Sequence, residues 1–126
     1  MLINRLELKN FGPFEGLYSF DFSIKNPNKN IILIGGKNGA GKTTIFTAIK
    51  LALYGHLMYG YRSIHNVYLD KIKKYINTKS ISNSSFETYI IIDFSIPEER
   101  KEINYTIKRS WKYVNSKLTE NLEVYA

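Results

Sequence analysis

Gly35-Gly36-Lys37-Asn38-Gly39-Ala40-Gly41-Lys42-Thr43-Thr44 is the stretch whose reading decides the fold. From Gly36 it fits G-x-x-x-x-G-K-[ST], the spacing of a phosphate-binding loop. A loop that wraps a triphosphate turns its backbone N–H groups inward, and side chains at the turning positions would block it. Gly36, Gly39 and Gly41 remove that obstacle and permit positive φ. With Lys37, Asn38 and Ala40 they form the expected nest of amides. Lys42 can reach the β- and γ-phosphates, and the Thr43 hydroxyl can ligate Mg²⁺. Thr44 opens a helix whose N-terminal dipole favours the same anion.

Such a loop follows a buried strand and precedes a helix. Ile31-Ile32-Leu33-Ile34 is a wholly apolar, β-branched run and reads as the central strand. Ile45, Ala48, Ile49, Ala52 and Leu53 recur at helical spacing, which predicts a helix over Thr43–Tyr54 stopped by Gly55.

Outward from the loop, the chain alternates between strands and turns. Leu2, Asn4, Leu6 and Leu8 alternate with Ile3, Arg5, Glu7 and Lys9, a half-buried strand broken by Asn10-Phe11-Gly12-Pro13-Phe14. Tyr18, Phe20, Phe22 and Ile24 mark a second strand, with a turn at Asn26-Pro27-Asn28. After a loop over His56–Ser63, a short amphipathic helix is expected from about His65 to Ile76. Val67, Tyr68, Ile72, Tyr75 and Ile76 would lie towards one side of it. A polar loop follows over Asn77–Ser85. Three strands are expected after it, over Phe86–Ile96 (ended by Pro97), Glu102–Val114 and Leu118–Tyr125, the last two joined by an Asn115-Ser116-Lys117 turn. No internal repeat or domain linker interrupts this pattern. The fold class that follows is α/β. A mixed sheet carries the phosphate-loop helix, and an antiparallel layer comes from the N-terminal hairpin and the last three strands.

The chain has 126 residues, 44% hydrophobic and 14% aromatic, enough for one small domain. It has no cysteine, which excludes a disulfide framework and a thiolate metal site. No apolar run is long enough to cross a membrane, and Met1-Leu2-Ile3-Asn4-Arg5 lacks the apolar segment of a signal peptide. A cytoplasmic location is the expectation. The net charge of +7 suits a polyanion partner such as DNA, although a lysine-rich background composition would give the same figure.

Other residues offer weaker signals. Ile90-Ile91-Ile92-Asp93 imitates the acidic strand end that holds Mg²⁺ through water, but Phe94 stands where a catalytic glutamate would follow. Phe86, Thr88, Ile90, Ile92 and Phe94 also fit one face of an ordinary strand, the favoured reading. His56 and His65 have no ligand spacing and read as surface or packing residues, and Arg62 as an exposed loop arginine. Trp111, with Tyr105 and Tyr113, fits a core stripe better than a base-stacking platform. Arg109 shares that face and, if buried, needs an acidic or phosphate partner.

Leu6-Glu7-Leu8-Lys9-Asn10-Phe11-Gly12-Pro13-Phe14, the run Asn30–Thr44, Ala48–Gly55 and Tyr105–Trp111 together resemble the N-terminal part of the SMC-like, ABC-type ATPases that act on DNA. Among these the chain is most similar to the DndD type, the ATPases of bacterial DNA sulfur modification (phosphorothioation). The resemblance implies ATP and Mg²⁺ as cofactors, Lys42 as a catalytic residue, Gly36–Thr44 as the nucleotide site and Thr43 as a metal ligand. It further implies DNA, the C-terminal lobe and coiled coil of the same protein, a head-to-head homodimer and other DNA sulfur modification proteins as partners.

Two departures stand out. Gly12 occupies the position after Asn-Phe where many relatives carry a basic residue near the nucleotide. The chain also has no glutamine, no Ser-Gly-Gly signature and no sustained heptads. It therefore resembles only the first lobe of the ATPase head, and a fragment of a longer protein, inactive alone, is expected. The alternatives are an ABC transporter nucleotide-binding subunit, which would carry a glutamine soon after the phosphate loop, and a small complete P-loop kinase or GTPase using Asp93.

Overall fold

Leu6 and Leu8 in one strand, and Ile90 and Ile92 in another, are fully buried. Between them Arg5, Glu7, Ile91 and Asp93 stay partly exposed. This period of two is the alternation read from the sequence, and it builds the two inner strands of a sheet. The computed structural model describes residues 1–23, 41–77, 87–115 and 117–126. Its elements are β1 (Leu2–Phe11), β2 (Phe14–Asp21), α1 (Lys42–Tyr54), a 3-10 turn (Gly55–Tyr59), α2 (Asn66–Lys73), β3 (Thr88–Glu98), β4 (Lys101–Val114) and β5 (Lys117–Tyr125). Among the described residues they form one five-stranded sheet in the order β2-β1-β3-β4-β5, antiparallel at every pairing. The expected strand Ile31–Ile34, the parallel part of the sheet it would build, and the turn at Asn26-Pro27-Asn28 lie outside the described residues.

The α1 helix covers one face of the sheet. Its buried residues are Ile45, Ala48, Leu51 and Ala52, and they join Leu6, Leu8, Ile90, Ile92 and Trp111 in a single core. Ile49 and Leu53, the other members of the expected helical pattern, are partly buried against that core. The helix begins beside the β1–β2 hairpin, where Gly12 approaches Thr44, and ends beside β4, where Gly55 meets Arg109. It therefore crosses the sheet from the β2 side towards the β4 side.

Several boundaries differ from the sequence pattern. β3 does not stop at Pro97, because Pro97 pairs with Glu102 of β4. The β1 ladder has already ended at Leu2 opposite Ser95, so this end of β3 has a neighbour on one side only, where a missing N–H is tolerated. α2 ends at Lys73 rather than Ile76. Beyond it Ile76 pairs with Phe11, and Asn77 N–H donates to the Asn10 carbonyl at 3.0 Å. Val67, placed on the apolar side of that helix, is 56% exposed, and Tyr68 and Ile72 carry the burial instead. β2 begins at Phe14, inside the stretch read as a break.

Candidate phosphate-binding site

Gly41, Lys42, Thr43 and Thr44 are the residues of the expected site that the structure describes. Gly36, Lys37, Asn38, Gly39 and Ala40 lie outside the described residues. Gly41 caps α1 with φ 100° and ψ 5°, a left-handed conformation open to glycine at little cost. Its carbonyl accepts the first helical bond, from Ile45 N–H at 3.0 Å. The amides of the first turn have no intrahelical acceptor. Among the described residues no side chain caps this end, and the first turn holds no acidic residue. A helix N-terminus with these features suits an anion, and both its amide donors and its dipole match a phosphate group. Lys42 is half-buried and Thr43 exposed on the same turn. An exposed hydroxyl at this position fits a magnesium ligand.

The tip of the β1–β2 hairpin supports this turn from behind. A Cβ at Gly41 would meet the Phe14 ring at 2.6 Å, and one at Gly12 would meet Thr44 Cγ2 at 2.7 Å. Gly12 also has φ +57°. In this chain the turn and the helix approach too closely for a side chain at position 12. Asn10 holds the tip in place. Its Oδ1 accepts from Gly16 N–H at 2.8 Å, its Nδ2 donates to the Glu87 carbonyl at 3.1 Å, and its own carbonyl accepts from Thr88 Oγ1 at 3.1 Å. On the other side Asn77 Nδ2 donates to the Gly12 carbonyl at 3.0 Å, and Gly12 N–H donates to the Tyr75 carbonyl. The Asn-Phe pair is legible in the sequence as a motif. Its partners Asn77 and Thr88 are not, since only the fold brings them together.

Residues 5–124 match the family model described as AAA domain. The chain belongs to that family. An AAA domain is a P-loop NTPase domain, which agrees with the loop motif and with the α1 terminus it opens. Over 51 residues the chain is 53% identical to the C component of the nuclease SbcCD of Treponema pallidum (strain Nichols), 40% of this chain and 5% of that protein. A further match is to the same nuclease component of Staphylococcus aureus (strain JH9), 52% identical over 50 residues, again 40% of this chain and 5% of the relative. The matched segment thus spans about one-twentieth of each relative's length.

Elsewhere in the AAA domain the other candidates take structural places. Asp93 points away from the core face that α1 covers, in register between Arg5 and Thr106. Arg5 Nε donates to its Oδ2 at 2.7 Å and Thr106 Oγ1 to its Oδ1 at 2.7 Å. Burial opposes the Asp93 charge, but these two hydrogen bonds and the Arg5 cation outweigh it and hold its pKa below the usual value. The favoured reading of Asp93 as an ordinary strand residue fits this placement. Trp111 is fully buried, so it is core and not a stacking platform. His65 caps α2, its Nδ1 accepting from Tyr68 N–H at 3.3 Å. His56 is half-buried with its ring against Tyr68, and Arg62 is exposed. Among the described residues no cluster of His, Asp or Glu could hold a metal. No described helix is long and apolar enough to cross a membrane.

The acidic partner that Arg109 requires is Glu120, a residue the sequence pattern does not single out. Arg109 is 6% exposed, and its Nη1 reaches Glu120 Oε2 at 3.1 Å. The other carboxylate oxygen accepts from Trp111 Nε1 at 2.8 Å and from the Tyr68 hydroxyl. Burial, and then the hydrogen bond to and charge of Glu120, push the Tyr68 hydroxyl far above its ordinary pKa. The expected turn over Asn115-Ser116-Lys117 would have set residue 121 opposite Trp111. Instead Lys117 already pairs with Val114, and that register sets Glu120 opposite Trp111, on the Arg109 face.

Proposed function

We propose that this AAA domain binds the phosphates of ATP·Mg²⁺ at the N-terminus of α1, as the N-terminal lobe of an SMC-like, ABC-type ATPase that acts on DNA. The observation that carries the reading is the start of α1. Among the described residues it has no side-chain cap, its first turn is free of acid, and it opens from a left-handed Gly41 directly onto Lys42 and Thr43. Lys42 supplies a cation towards the β- and γ-phosphates, and the amides of Lys42, Thr43 and Thr44 supply donors to phosphate oxygens. Thr43 gives one oxygen to Mg²⁺, which when bound neutralises charge on the transferred phosphoryl group. By the loop motif alone, the remaining phosphate contacts are assigned to Gly36, Lys37, Asn38, Gly39 and Ala40, which lie outside the described residues.

The DNA-directed reading draws on the nuclease components to which the segment is similar. It also draws on the net charge of +7. A second reading, the DndD type of DNA sulfur modification ATPase with its modification partners, is favoured by Gly12. The close Gly12–Thr44 contact leaves no room for a basic residue there. In either case hydrolysis is assigned to the whole protein, with a C-terminal lobe, a coiled coil and a second head, in the cytoplasm. The water-positioning groups expected from the ABC-type resemblance have no counterpart in this chain, since Asp93 is held by Arg5 and Thr106 and there is no glutamine.

Calorimetric titration with ATP·Mg²⁺ tests the site. The chain should bind weakly, and Lys42→Ala should weaken binding further by removing the cation facing the phosphates. Equal affinity in the two proteins would overturn the assignment.

A further inference from the structure

The C-terminal end of α1 carries no charge of its own to match its dipole, because its last turn has no basic residue. Its final carbonyls lack intrahelical donors. Gly55 N–H closes one of them, bonding to the Leu51 carbonyl. Another is closed from outside the helix. Arg109 of β4 donates Nε to the Ala52 carbonyl at 3.2 Å. Its guanidinium also packs against Gly55, where an added Cβ would stand 2.6 Å from Nη1.

We propose that Arg109 is a positioning residue for the phosphate site, a brace that fixes α1 along its axis from the end opposite Gly41. The inference rests on the nucleotide reading given above. A helix of 13 residues is a rod roughly 20 Å long. Holding one end therefore fixes where the other end places its amides. The N-terminus is buttressed sideways by the hairpin tip, through Gly12 and Phe14. At the other end Arg109 holds the helix at the Ala52 carbonyl and at Gly55. The brace is itself anchored. Glu120 holds Arg109 from β5, and Trp111 and Tyr68 hold Glu120 from β4 and α2. The cation also sits where a helix dipole favours one, while a nucleotide phosphate would occupy the end that favours an anion. Glu120 offsets much of the longer-range charge, so the residual effect is local to the last turn. A side chain that merely filled the core would need neither the fork of donors nor the contact with Gly55.

The test compares Arg109→Met, Arg109→Lys and Lys42→Ala with Leu118→Ala, a core truncation in β5 that sets the background of a general loss of stability. Hydrogen–deuterium exchange of residues 42–54 is measured without nucleotide, and ATP·Mg²⁺ affinity is measured by calorimetry. Arg109→Met should speed exchange through α1 as far as the Lys42–Ile45 turn and weaken ATP·Mg²⁺ binding roughly 2- to 10-fold. Arg109→Lys, which keeps the charge and loses the fork, should fall between it and the wild type. Leu118→Ala, compared at the same fraction folded, should leave both measurements unchanged. If Arg109→Met does not fold, Arg109→Lys is judged by the same comparison. Arg109 variants that behave as Leu118→Ala in either measurement overturn the brace. Equal ATP·Mg²⁺ affinity in the wild type and Lys42→Ala instead overturns the nucleotide reading and the link between brace and ligand. The exchange data, taken without nucleotide, tell these two failures apart.

Discussion

Gly12 and Thr44 are in contact so close that a Cβ on Gly12 would stand 2.7 Å from Thr44 Cγ2. The contact joins the tip of the N-terminal hairpin to the first turn of α1. Two independent demands meet at one position, positive φ and the absence of a side chain. Gly12→Ala is therefore expected to cost about 1–3 kcal/mol from the backbone alone, plus the displacement of Thr44. Urea unfolding of Gly12→Ala, Thr44→Ala and the double variant separates the two parts. The double variant should recover the steric share and keep the backbone share. A Gly12→Ala protein as stable as the wild type would show that the hairpin tip does not press on α1.

Turnover by this chain alone should match its own blank. Phosphoryl transfer needs an oriented water and charge stabilisation beyond what Gly36–Thr44 can provide. Each missing transition-state contact costs typically about 10²–10³ in rate. Steady-state phosphate release from the wild type is expected to equal that from Lys42→Ala. A turnover near one per second that disappears in Lys42→Ala would mean that this chain holds its complete catalytic set.

The Arg5–Asp93–Thr106 cluster should appear in the acid limb of the stability curve. Because the folded-state pKa of Asp93 is lowered, its contribution is present above the unfolded carboxylate pKa of about 3.9 and is lost as pH falls through the lower folded value. Asp93→Asn removes that dependence. Urea midpoints at pH 7 and pH 3 should differ more for the wild type than for Asp93→Asn, and equal differences would mean that the cluster adds nothing.

Tyr68→Phe and Trp111→Phe each remove one donor from the same Glu120 oxygen. Each should destabilise the chain by about 1–3 kcal/mol. Since they share an acceptor, the double variant should depart from additivity by about 0.5–3 kcal/mol. Strict additivity in urea unfolding would show that Glu120 does not link the two.

Period and motif made much of this fold legible. Leu6, Leu8, Ile90 and Ile92 alternate as strands must, and Ile45, Ala48 and Ala52 recur as a buried helix face must. Lys42 and Thr43 follow from spacing alone, and the structure sets them on the first turn of α1. The rest depends on partners distant in the chain. Glu120 is an ordinary acidic residue until the β4–β5 register sets it across from Trp111. Likewise Asn77 means nothing locally until the chain after α2 returns to the end of β1. Pro97 misleads because its rule assumes a neighbour on both sides, and β1 ends before reaching it.

The strand order has a kinetic consequence. β1 pairs with β3 along most of its length, and in that ladder Arg5 and Asp93 are bonded across 88 positions of sequence. The phosphate-loop segment and α1 therefore lie inside the span which that pairing closes. Closing so long a loop carries its entropy cost before the ladder returns any energy. Refolding from urea should accordingly be slow for a chain of 126 residues. The β4–β5 hairpin, whose contacts are local, can form well ahead of the β1–β3 pairing.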